Sequence, residues 1–78
     1  MTHQERQKEQ SREWIAEAFF NLLKKKKYES ITVSEIVKKA DLSRRTFYRV
    51  FENKYDIIKY MLEKIMPDWK IRKKLLNE

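Results

Sequence analysis

Apolar residues recur along this chain in four short stretches, each with the three- and four-residue steps of a helix face. In the first, Trp14, Ile15, Ala18, Phe19, Leu22 and Leu23 form one broad stripe, which predicts a helix of about four turns starting at Ser11. Lys24 to Lys27 close it, where positive charge suits the negative end of the helix dipole. A solvated last turn is the preferred reading of these lysines over a nucleic-acid contact. Thr32 and Glu35 then have the spacing of a capping box, opening a second helix from Val33 to about Ala40 with Val33, Ile36, Val37 and Ala40 inward. Asp41 falls where the chain must turn through a left-handed conformation, which aspartate tolerates better than most residues, and Leu42 pins that turn to the core. Ser43 is a good N-cap for a third helix, Arg44 to about Phe51, with Phe47, Val50 and Phe51 on one face. Asn53 caps a fourth, Lys54 to about Met66, offering Ile57, Ile58, Met61, Leu62 and Ile65 to the core. Pro67 stops it, because the residue before a proline is pushed out of the helical region.

This pattern divides the chain into a polar, flexible lead-in over 1–10, a helical domain over 11–66, and a tail over 67–78. The tail reads as a short amphipathic helix through Trp69, Leu75 and Leu76. With no glycine and one proline, strand-and-hairpin architectures lose the residues on which their turns depend. The expected fold is therefore all-α, a small bundle of about four helices. Seventy-eight residues lie near the lower limit for one hydrophobic core.

Composition narrows the function. With no cysteine, neither a disulfide framework nor a thiolate metal site can form, and no cofactor or metal is expected. No apolar run approaches the roughly 20 residues that span a bilayer, and the first ten residues lack the apolar centre of a secretion signal. A soluble, cytoplasmic protein is expected. The formal net charge of +7 points to a polyanion, either nucleic acid or an anionic membrane surface.

The second and third helices with their tight turn have the form of a helix-turn-helix DNA reader. Burying Phe47 forces Arg44, Arg45, Tyr48 and Arg49 outward as a group. Arginine is the most frequent specific base reader, because its planar fork matches guanine O6 and N7 in the major groove. Arg44 and Arg45 occupy the first turn, which points into the groove, and Arg49 follows one turn later. Thr46 suits a phosphate or a thymine methyl, and the Tyr48 hydroxyl a phosphate. Thr32 and Ser34 at the second helix start, and Lys54 at the fourth, fit backbone phosphate contacts. For Thr32 and Ser34 a purely local capping role is the stronger reading.

The stretch TVSEIVKKADLSRRTFYRVFENKYDII resembles the N-terminal DNA-binding domain of TetR/AcrR-type transcriptional regulators. The matching features are Thr32, the turn ADLS at 40–43, Thr46-Phe47-Tyr48, Phe51 and Asn53-Lys54, with the IAEAFFNLL run of the first helix. The resemblance covers roughly residues 11–66. It implies a homeodomain-like three-helix core with a fourth helix leading onward. It also implies transcriptional control, repression being the expected mode, through a palindromic double-stranded operator bound by a homodimer. Matched residue by residue, it implies DNA contacts at Thr32, Ser34, Arg44, Arg45, Thr46, Tyr48, Arg49 and Lys54. Two of the family's usual glycines are replaced, by a lysine before Tyr28 and by Asp41. The family's second, effector-binding and dimerising domain has no counterpart in these residues, so a monomer or weak dimer is expected. Tyr60, Met66, Trp69 and Leu76 either cover the domain's own core, the preferred reading, or form a dimer surface.

Two other classes fare worse. An enzyme is not expected: the one histidine is His3, and Glu13, Glu17 and Asp56 are explained by caps and surface pairs. The better alternative is a basic helical interaction module that binds a protein partner or an anionic membrane through the lysine run and the Trp69–Leu76 tail.

Overall fold

The computed structural model describes residues 3–65, with side chains from Arg6 onward. Four helices follow in order: α1 (His3–Leu23), α2 (Val33–Ala40), α3 (Arg44–Val50) and α4 (Lys54–Ile65), with a 3-10 turn at Tyr28–Ser30 between the first two. No strand occurs among the described residues. The fold is all-α, as expected. Helix α1 is the spine: α2, α3 and α4 all pack against it, and α2 packs on α3.

The core joins Ile15, Ala18 and Phe19 of α1 to Ile31, to Ile36 and Val37 of α2, and to Phe47, Phe51 and Ile57. Phe19 and Phe47 are its largest fully buried side chains. Three residues of the apolar stripes take no such place. Trp14, Leu23 and Ile65 are exposed, Ile65 to 73%. Trp14 and Leu23 lie at the two edges of the apolar sector of α1, and Ile65 is the last residue of α4, so burial at each depends on whether a neighbouring element reaches that far.

The local signals read from the sequence account for the helix ends. Thr32 Oγ1 accepts from the Glu35 amide at 3.1 Å while the Glu35 carboxylate accepts from the Thr32 amide at 3.3 Å, a complete capping box. Asp41 adopts φ 59°, ψ 44°, the left-handed cap of α2. The Leu42 amide reaches back to the Val37 carbonyl at 2.8 Å, the six-to-one bond of a Schellman end. Ser43 Oγ accepts from the Thr46 amide, and Asn53 Oδ1 from the Asp56 amide, both at 3.1 Å. Asp56 in turn accepts from the Glu52 amide at 2.9 Å.

The start of α1 departs from expectation. The helix begins at His3 and not at Ser11, so residues 3–10 belong to it. Its first turns are rich in Gln, Glu, Lys and Arg and free of glycine and proline, so they extend the helix without an apolar stripe. Tertiary contact also ties this part down. The Tyr60 hydroxyl of α4 donates to Glu9 at 2.7 Å, and the Lys64 ammonium meets Glu9 at 3.0 Å and Glu13 at 2.9 Å. At the other end α1 stops at Leu23, so Lys24–Lys27 follow the helix instead of forming its last turn. Lys24 lies over the Phe20 ring, and Lys26 pairs with Glu35 of the capping box. Met66, Pro67 and the tail residues Trp69, Leu75 and Leu76 lie outside the described residues.

These contacts set an acid limit. The Tyr60 hydroxyl holds Glu9 below its ordinary value of 4.5, the Lys26 ammonium does the same for Glu35, and the Glu52 amide holds Asp56 below 3.8. A carboxylate depressed in the fold contributes stability above its unfolded value and loses it as pH falls through the folded one. The melting temperature is therefore expected to stay level down to about pH 5 and to fall progressively below about pH 4.5. Calorimetry across pH 2.5–7 checks this. All three groups are largely solvated, so the loss should be shallow and damped by salt.

Candidate nucleic-acid interface

Helix α3 has one face in the core and one in water. Phe47 is fully buried, its ring 5.1 Å from Tyr48 in an edge-on contact and 5.8 Å from Phe51. The opposite face carries Arg44, Arg45, Tyr48 and Arg49, all exposed. Tyr48 packs one ring edge on Phe47 yet keeps 53% of its surface in solvent. The helix holds no acidic residue. None of its three guanidiniums has an ion-pair partner among the described residues, whose ion pairs include those along α1, between Lys26 and Glu35, within α4, and between α4 and α1. A cationic face without carboxylates keeps its full potential for an incoming anion. Its planar donors remain unengaged for bidentate bonds.

The structure places the remaining expected contact residues in three different situations. Ser34 is exposed on the first turn of α2. Thr32 and Thr46 are already engaged locally: Thr32 closes the capping box, and the Thr46 hydroxyl lies 3.0 Å from that of Ser43. Lys54 differs most from expectation. Its ammonium donates to the Tyr28 carbonyl at 2.6 Å and the Ile31 carbonyl at 2.8 Å, and sits 4.3 Å from the centre of the Tyr28 ring. Two of its three donors thus hold the turn that leads into α2. Lys54 is part of the frame that positions α2, and its reach toward phosphate is correspondingly reduced.

The sequence reading missed two features. One is the link from Glu9 to Tyr60 and Lys64. The other is a groove of about 380 Å³ between the first half of α1 and the outer side of α3, whose walls include Lys8, Gln10, Thr46 and Arg49. Neither has a local signature in the sequence, because both join residues far apart in the chain.

A buried-anchor helix presenting unpaired arginines, packed behind a capped partner helix and a three-residue turn, defines the helix-turn-helix class of DNA-binding proteins. Residues 15–61 match the sequence model of the family described as bacterial regulatory proteins, tetR family. The chain belongs to this family. It is similar to the HTH-type dhaKLM operon transcriptional activator DhaS of Lactococcus lactis subsp. lactis (strain IL1403), with 37% identity over 49 residues. That match takes in 63% of this chain and 26% of the activator's length. No solved structure gives a significant match. Among the described residues no helix is long and apolar enough to cross a membrane, and no group of acidic or histidine side chains is placed to hold a metal ion.

Proposed function

We propose that the chain recognises a specific double-stranded DNA sequence with α3 seated in the major groove, and thereby controls transcription. The carrying observation is the pairing of a fully buried Phe47 with the exposed, unpaired Arg44, Arg45 and Arg49 on the other side of the same helix. Arg44 and Arg45 read base edges from the first turn, and Arg49 extends the reading one turn along. Tyr48 and Ser34 bond flanking phosphates, while Thr32 and Thr46 act mainly by capping and can add a weaker backbone contact. One reading helix covers one half-site. A monomer or weak dimer should therefore bind in the range of about 10⁻⁴ to 10⁻⁶ M, and a paired form on a palindrome far more tightly. The related dhaKLM protein is named as an activator. No residue in the reading face distinguishes activation from repression, and the sign of control follows from where the operator lies.

Selection of bound duplexes from a random pool at two salt concentrations tests this reading. An enriched half-site that survives added salt supports it, and recovery of random, salt-sensitive duplexes alone refutes it. Arg45→Ala is expected to weaken the selected site by about 1–3 kcal/mol and to relax the preference at one base pair. An unchanged preference would remove Arg45 as a reader.

A further inference from the structure

Beyond the reading face itself, α3 is flanked by two grooves of different charge, one balanced and one cationic. On the α4 side, the space beyond Tyr48 and Arg49 is lined by Glu52 and Asp56, with Lys59 the further cation. There the two carboxylates offset the two cations, Arg49 and Lys59, so this space carries no excess of positive charge for a phosphate strand. On the α1 side, the groove is bordered by Lys8, Gln10 and Ser11 of α1 and by Thr46 and Arg49 of α3, over a floor that includes Trp14. Two cations, two side-chain amides (Gln7 and Gln10) and two hydroxyls line it, and no carboxylate does. Trp14 remains 48% exposed, a flat apolar surface between polar walls.

The orientation of α1 makes this placement durable. Glu9 is bound to Tyr60 and Lys64, and Glu13 to Lys64, which draws the acidic side of α1 toward α4. The amide- and lysine-bearing side is left next to α3. The same contacts, made at Glu9 and Glu13, help to set the part of α1 that carries Lys8 and Gln10 beside the reading helix.

We infer that the α1-side groove takes the sugar–phosphate backbone of the DNA flanking the half-site, with Lys8 bonding a phosphate and Trp14 lying against a deoxyribose. The inference deepens the DNA-binding reading of α3 and rests on it. Of the two grooves only this one matches the charge of a phosphate strand, and Arg49 belongs to both its wall and the reading face, so a strand leaving α3 on this side meets Lys8 next. Lys8 is thereby a positioning residue. It adds affinity and register, not base preference.

The experiment compares the chain with Lys8→Gln and Lys25→Gln on the selected half-site across a salt series, with hydroxyl-radical footprints of each. Lys25 follows the far end of α1, about 25 Å along the axis, and serves as the matched loss of one charge. Both lysines are exposed, and circular dichroism verifies that each variant keeps its helices. Lys8→Gln is expected to flatten the salt slope by about 0.9 and to lose protection of backbone flanking the half-site, with the base preference intact. Lys25→Gln should leave the slope and footprint as they are. With Trp69→Phe as background, the emission of Trp14 should change on binding the duplex. If the chain selects a half-site but Lys8→Gln leaves slope and flanking protection unchanged, the groove assignment is overturned and the reading of α3 stands. If the chain selects no half-site at all, both fall together.

Discussion

Phe47→Ala is expected to remove most of the stability of the domain, about 3–5 kcal/mol. A chain of this size has about 4–12 kcal/mol in total, so the variant should melt more than about 15 °C lower or be partly unfolded at 25 °C. The reason lies in the shortness of α3. Seven residues cannot sustain a helix alone, so α3 exists because Phe47 is enclosed, with Phe51 close beside it. The Ser43 cap contributes to the start of the helix but cannot replace that burial. Urea unfolding measures the loss. Phe47→Leu retains part of the volume, so it should unfold more easily than the parent and still select the same half-site. A Phe47→Ala variant within about 1 kcal/mol of the parent would show that α3 is held by something other than its buried ring.

Lys54→Met is expected to cost about 2–3 kcal/mol, chiefly by leaving the Ile31 carbonyl without its donor in a residue that is 1% exposed. Loss of the ammonium over the Tyr28 ring adds a smaller part, about 0.5–1 kcal/mol. The methionine keeps the stem, so packing changes little. This result separates the two roles that can be assigned to Lys54. A frame residue lowers the urea midpoint and leaves the salt slope of DNA binding unchanged when both proteins are assayed fully folded. A phosphate contact would do the reverse, flattening the slope by about one and sparing the midpoint.

The contrast between Lys54 and Arg45 shows where sequence reasoning reached. Both are cations near a helix start, and the family resemblance treats both as DNA contacts. For Arg45 the local pattern sufficed to set the outward direction of the side chain, because a helix that buries Phe47 has only one direction left for its arginines. For Lys54 it did not. The deciding carbonyls belong to Tyr28 and Ile31, 26 and 23 residues earlier, and nothing in the fourth helix announces them. The same holds for Glu9 and Tyr60, 51 residues apart, whose bond helps to explain why α1 begins at His3. It holds again for the groove that sets Lys8 beside Arg49.

What the sequence determined acts over one helical turn: the Thr32–Glu35 box, the left-handed Asp41, the caps Ser43 and Asn53, and the outward face of α3. Those interactions join residues three or four apart, so their spacing carries their geometry. The tertiary structure alone decided which residues of the apolar stripes stay wet, how far α1 extends, and which cations stay in solvent and which meet a carbonyl. Each of these depends on what a distant segment brings within a few ångströms. That proximity comes from packing the whole core at once, and no local periodicity encodes it.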